Sequence, residues 1–152
     1  MKKMIYLVTA IVFSFLVIFV VLSFQSRKMP EKGLVNGRLQ PCPGSPNCVC
    51  SEYQDKSFVE PLYFNKSPQW AWERAKDILE QMGGRIELEE KEYLRVIFAT
   101  KIFRFRDDVE LRVEAEKNRI HIRSSSRVGH FDFGQNRKRV KKIRAGFNQK
   151  QE

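Results

Sequence analysis

From Met4 to Phe24 the chain carries no charged side chain, and a run of this length matches the roughly 20 apolar residues that cross a bilayer core. No other feature constrains the fold as strongly. Beyond it lie Arg27 to Glu152, 126 residues, which is room for one domain and not two. The pattern argues against a wholly soluble protein and against a multispan channel or transporter. Trp70, Trp72 and eight Phe outside the run argue against a disordered tail.

A cleaved signal peptide has a shorter apolar region followed by a small-x-small site, and Val20-Val21-Leu22-Ser23-Phe24 offers none. The reading is an uncleaved signal anchor over residues 1–26, a linker over 27–40 and one globular domain over 41–150. Lys2 and Lys3 stand before the run and Arg27, Lys28, Lys32 and Arg38 after it, so the count of positive charges is nearly tied. The short dilysine head resembles an export signal. The expected arrangement is single-pass, with the amino end in the cytoplasm and the domain outside it.

The net charge of +10 is unevenly placed. Residues 27–118 balance, whereas residues 119–152 hold 10 basic side chains against Asp132 and Glu152. Much of this excess lies on a predicted helix from about Gly134 to Gly146, with Val140, Ile143 and Phe147 as its apolar stripe and Phe133 extending the stripe backwards. A solvated face, anionic lipid headgroups and nucleic acid all fit a basic helix. Beside a membrane, lipid or another acidic envelope partner is favoured and no nucleic acid is expected.

Cys42, Cys48 and Cys50 occupy Pro41-Cys42-Pro43-Gly44-Ser45-Pro46-Asn47-Cys48-Val49-Cys50, a loop too rich in proline for a helix or central strand. It can return Cys42 to Cys48 or to Cys50. A disulfide in so short a loop would add about 2–3 kcal/mol and would persist only in an oxidising compartment. Free thiols are the competing reading. The C-x5-C-x-C spacing lacks the paired ligands of a zinc site, so neither metal nor cofactor is expected.

The elements then read as α+β: an antiparallel sheet of about five strands with two main helices. Ser67 as N-cap and Pro68 at the first position open a helix whose apolar face is Ala71, Ala75, Ile78, Leu79 and Met82, closed by Gly83-Gly84. Ser57–Glu60 and Leu62–Phe64 suggest short extended pieces. Alternation predicts strands at Arg85–Glu89, Tyr93–Thr100, Phe103–Arg106, Val109–Ala115 and Ile120–Arg123. A two-residue turn at Lys117-Asn118 would pair Glu116 with Arg119, Val113 with Ile122 and Asp108 with Arg127, leaving Glu110 diagonal to Arg123 and Arg127.

Two constellations could carry chemistry. One sets Asp107, Asp108 and Glu110 against Arg104, Arg123 and Arg127. These are cross-strand ion pairs or a pocket in which arginines grip a carboxylate or phosphate. The other runs from Arg123 to Arg137 and is dense in Ser, Gly and Arg. Asp132 there is placed to cap the following helix. Ser124 and Ser126 have a conceivable base in His130, but nothing fixes that geometry.

Certain residues have a particular order: Leu39-x-Pro41-Cys42-Pro43-x-Ser45-Pro46-Asn47-Cys48-Val49, Tyr93-Leu94, Phe103-x-Phe105-x-Asp107-Asp108-Val109-Glu110, and Arg123-Ser124-x-Ser126-Arg127-x-Gly129-x-x-Asp132-x-Gly134-x-Asn136-Arg137-x-Arg139-Val140. Together they resemble the domain of unknown function 1499 family over nearly all of residues 39–147. The resemblance implies a compact single domain, found in bacteria and plastids and often behind an export or membrane segment. It implies no activity. Where that family often has Ser after Cys48-Val49 this chain has Cys50, which implies a Cys42–Cys48 disulfide and leaves Cys50 spare.

The functional expectation is a membrane-anchored envelope module, held by residues 4–24, that binds or scaffolds. Arg104, Asp107, Asp108, Glu110, Arg123, Ser124, Ser126, Arg127, Asp132, Asn136, Arg137 and Arg139 would form one polar cluster. Its ligand would be an anionic small molecule or lipid headgroup. The alternatives are an enzyme using Asp107, Asp108 and Glu110 as general base or metal ligands, and a tether whose basic helix binds lipid.

Overall fold

A computed structural model describes residues 1–29 and 33–149. The uncharged run forms most of α1, Lys2–Ser26, long and apolar enough to cross a membrane. Its apolar residues lie open, and Ser23 and Ser26 become buried where the helix end meets the domain.

Within the stretch that composition reads as linker, β1 (Leu34–Val35) and β2 (Arg38–Leu39) form a tight hairpin. Asn36 and Gly37 take the positive φ that such a turn requires. Leu39 is fully buried and packs with Cys50 and Tyr93 in a small second core.

The main sheet contains β3 (Cys48–Cys50), β4 (Leu62–Tyr63), β5 (Arg85–Glu89), β6 (Tyr93–Ala99), β7 (Arg106–Glu114) and β8 (Arg119–Ser126). Its order is β3-β8-β7-β6-β5, all antiparallel, with β4 pairing the other end of β8 beside β3. The architecture is α+β, with six strands where sequence suggested about five. Two strands lie outside the five read from alternation, β3 in the cysteine loop and β4 at the extended piece expected over Leu62–Phe64, while Phe103–Phe105 form no strand. The piece expected at Ser57–Glu60 is reduced to a single bridge, Cys50 to Phe58.

One face of the sheet carries Leu94, Val96, Val109, Leu111, Ile120 and Ile122, buried beneath α2 (Pro68–Gln81) and α3 (Gln135–Asn148). On α2, Ser67 accepts from Trp70 N at 3.2 Å, the expected cap. Ala71, Trp72, Ala75, Ile78 and Leu79 turn inward. On α3 the stripe Val140, Ile143 and Phe147 is fully buried.

Three expectations change. The β7–β8 connection is longer than a two-residue turn: a 3-10 turn spans Ala115–Lys117, and Asn118 takes the left-handed conformation. Glu114, not Glu116, therefore faces Arg119, and Leu111 faces Ile122. A shift of two leaves every side chain on its original face, so alternation cannot detect it. Phe103 and Phe105 are in a turn, not a strand, and lie against Phe19 of α1 at centroid distances of 4.8 and 6.0 Å. Phe133, expected to lengthen the α3 stripe, is 89% exposed.

Candidate functional site

Successive residues of a strand point to opposite faces, so Asp107 and Asp108 part company. The single expected cluster is two clusters, one on each side of the sheet.

On the helix-covered side, Asp107 accepts from Arg139 Nη2 of α3 at 2.6 Å. Arg139 Nη1 also donates to Asn136 Oδ1 at 2.6 Å and to Ser124 Oγ at 3.2 Å. Ser124 and Asn136 are fully buried and bonded to each other at 2.6 Å. Asn136 Nδ2 donates to Asn47 O at 2.9 Å and to Ser126 Oγ at 3.1 Å. This network fastens the start of α3 to the end of β8 and to the cysteine loop. Asp132 belongs to the same fastening. Its carboxylate accepts from Gly134 N at 2.9 Å and Asn136 N at 2.7 Å, caring for donors at the start of α3 that have no partner within the helix. Arg137 instead donates to Phe58 O at 3.0 Å and Lys56 O at 3.3 Å.

The opposite side holds the second cluster. Asp108 receives Arg127 through Nε at 2.9 Å and Nη2 at 2.6 Å, and the same Nη2 donates to Glu87 at 2.7 Å. The three side chains are 4–8% exposed. Arg127 Nη1 turns to Lys28 O at 3.1 Å, with Ser26 O at 3.5 Å. Carbonyls at a helix end lack partners and form the negative pole of the helix dipole, so Arg127 clasps the end of α1 while two carboxylates hold it in place. Burial opposes its charge, and Asp108 followed by Glu87 more than offset this, raising the guanidinium pKa. Arg106 N adds a bond to Ser26 Oγ at 3.3 Å.

Beside the clasp, Glu110 faces Arg123 directly across the strands. It accepts from Arg123 Nη1 at 2.5 Å and from Tyr93 Oη at 2.7 Å. Arg95, opposite Glu110 on β6 and almost wholly buried, donates from Nε to Tyr93 Oη at 3.1 Å. Burial and the neighbouring Glu110 carboxylate push the Tyr93 phenol well above its ordinary pKa. Arg104 stands apart: it is exposed, at φ 58, in the β6–β7 turn, and makes no ion pair among the described residues.

A cavity of about 590 Å³ opens on this second side, where α1 meets the sheet. Gln25, Lys28, Gln40, Arg123, Ser125 and Arg127 are among its lining. Arg123 Nε is buried and has no hydrogen-bond partner among the described residues. Of the expected site residues, Asp108, Glu110, Arg123, Ser126 and Arg127 line the cavity, whereas Asp107, Ser124, Asn136 and Arg139 do not.

Sequence reasoning passed over Glu87, Tyr93 and Arg95. It also passed over a relay at the far end of the sheet. Ser51 Oγ accepts from Ile122 N at 2.9 Å and lies 3.1 Å from His121 Nδ1, whose Nε2 is 3.0 Å from Glu114. Ser51 and His121 are buried. Burial lowers the His121 pKa; the Glu114 carboxylate can only accept, so a ring that donates to it from Nε2 is left with Nδ1 to accept from Ser51. Next to it, burial works against the Glu52 carboxylate, but Arg112 and Arg38 outweigh it and lower the pKa. The relay ties the segment after β3 to β8. Strict alternation on β8 put His121 on this face; the loop residues Ser51 and Glu52 carried no periodic signal.

The three cysteines resolve as Cys42–Cys48 in a disulfide and Cys50 free and fully buried. Burial pushes the Cys50 thiol up to about 11. Among the described residues no group of His, Cys, Asp and Glu is placed to hold a metal ion.

A sequence model for a family described as "Protein of unknown function (DUF1499)" matches residues 38–147. No curated protein and no solved structure matches the chain.

Proposed function

The chain belongs to the DUF1499 family, which has no assigned activity, and from that premise we propose that it is a membrane-anchored binding module of the cell envelope. Its cavity at the foot of α1 takes a small anionic group. The observation that carries this is Arg123: a mostly buried guanidinium that spends one donor on Glu110, has no partner for its Nε among the described residues, and lines the cavity. Lys28 adds charge at the rim, and Ser125 and Gln40 add polar groups. A phosphate or carboxylate suits the fixed fork of an arginine. The Cys42–Cys48 disulfide supports an oxidising compartment, with the domain outside the cytoplasm.

The enzyme reading draws less support. Asp107, Asp108 and Glu110 each accept a bond from an arginine, and a general base needs a carboxylate open to substrate. The basic helix is also partly engaged, since Arg137 and Arg144 donate to backbone carbonyls and Arg139 to Asp107.

Native mass spectrometry of the full chain in phosphatidylcholine nanodiscs tests the proposal, with phosphatidylglycerol in one arm and inorganic phosphate in another. Retention of either anion is expected, weakened by Lys28→Gln and by Arg123→Lys and unchanged by Lys142→Gln, which alters an exposed side chain of α3. Preference for the lipid identifies a headgroup site and preference for phosphate a soluble ligand. Equal retention by all variants, or none by the wild type, would overturn the reading.

A further inference from the structure

We infer that the turn joining β6 to β7, residues 101–105, enters the bilayer beside α1, so that the domain meets the membrane at a second element besides its anchor. The inference rests on α1 spanning the membrane, and the depth at which the turn touches it carries the argument.

Phe19 stacks on Phe103 at 4.8 Å and lies 6.0 Å from Phe105, and the two turn phenylalanines are 5.7 Å apart. Phe19 is five residues inside the end of the uncharged run at Phe24, which at 1.5 Å per residue is about 7–8 Å along the helix axis. The whole run, Met4 to Phe24, is about 31 Å long by the same rise, against a hydrocarbon core of about 30 Å. A helix so closely matched to the core has little slack with which to lift Phe19 into water. The ring stacked on it therefore lies below the headgroups as well.

The rest of the turn suits that position. Ile102 is 83% exposed, and lipid chains would cover it. Lys101, Arg104 and Arg106 flank and separate the apolar Ile102, Phe103 and Phe105. Such side chains can lay their stems along apolar surface and return their charged ends to the headgroups. The clasp of Arg127 on Lys28 O and the bond from Arg106 N to Ser26 Oγ fix the turn's height relative to α1. The occupant of this surface is the bilayer leaflet from which α1 emerges.

A nitroxide label on Ile102→Cys in the full chain tests it, in vesicles of phosphatidylcholine alone so that anion binding in the cavity plays no part. Cys50 is buried and Cys42–Cys48 is bonded, which leaves the new thiol as the labelling site. Collision with oxygen is compared with collision with a water-soluble nickel chelate. Labels on Phe13→Cys in mid-helix and Lys117→Cys in the distant β7–β8 connection serve as references. The oxygen-to-nickel ratio at 102 is expected to exceed that at 117 severalfold and to approach that at 13. If 102 reads like 117 while 13 reads deep, the anchor stands and the inference fails. If 13 also reads like 117, the inference falls together with the anchor.

Discussion

Arg127→Met should destabilise the domain more than any other single change to the polar clusters. The substitution keeps most of the side chain's apolar volume and removes the guanidinium. Asp108 and Glu87, whose side chains are 4% and 8% exposed, would then be two buried carboxylates without their shared partner. Breaking a buried pair in this way costs about 3–5 kcal/mol. The loss of the bonds to Lys28 O and Ser26 O comes in addition. Asp108→Asn is milder, about 1–3 kcal/mol, because Arg127 keeps Glu87 and the carbonyls at the end of α1. The assay is urea unfolding of the full chain in mild detergent, followed by fluorescence of the buried Trp72. A loss below about 1 kcal/mol for Arg127→Met, the level of exposed ion pairs, would refute the reasoning, since the guanidinium would then have to be screened by water.

Other outcomes are equally specific. Cys50, its thiol pushed up to about 11 by burial, should resist iodoacetamide at pH 8 in the native chain and react once urea unfolds it; rapid native reaction would contradict this. Gly84→Ala should cost about 1–3 kcal/mol by overpacking, because the new Cβ would lie 2.7 Å from Leu79 O, a backbone atom that cannot swing away; an unchanged urea midpoint would contradict it. His121 has a lowered folded pKa because it is buried, so the unfolded chain binds its proton first. Stability should therefore be intact above about pH 6.5 and decline as the pH falls below that value. His121→Gln should flatten this part of the profile, and an identical profile in the variant would contradict the assignment. Below about pH 4.5 a second decline should follow, because the unfolded chain takes up a proton that Arg119 chiefly keeps off Glu114 in the folded one.

The parts of the fold legible in the sequence were those specified by period and cap. Ser67-Pro68 and the spacing from Ala71 to Leu79 suffice for α2, because a cap and a buried stripe act locally. The apolar faces of β6, β7 and β8 follow from alternation. The β7–β8 register does not, since a shift of two residues leaves the alternation intact and only the backbone of Ala115–Asn118 decides it. Phe103 and Phe105 alternate like strand residues but do so to reach Phe19, a partner more than 80 positions away that no local pattern could reveal. For the site, the separation of Asp107 from Asp108 was already implicit in their adjacency on one strand. Grouping them by charge overlooked it. Glu87 and Arg95 were missed because composition treats a charged residue on a strand as solvent-facing, whereas both lie in the covered polar layer of the second face.

Two sets of partners separated by a sheet should be energetically independent, and double-mutant cycles measure this directly. Within each face, Asp107→Asn with Arg139→Gln, and Asp108→Asn with Arg127→Gln, should show coupling of about 0.5–3 kcal/mol. Across the sheet, Arg139→Gln with Arg127→Gln should be additive to within about 0.5 kcal/mol. Cross-sheet coupling as large as that within a face would mean that the charges form one connected cluster after all.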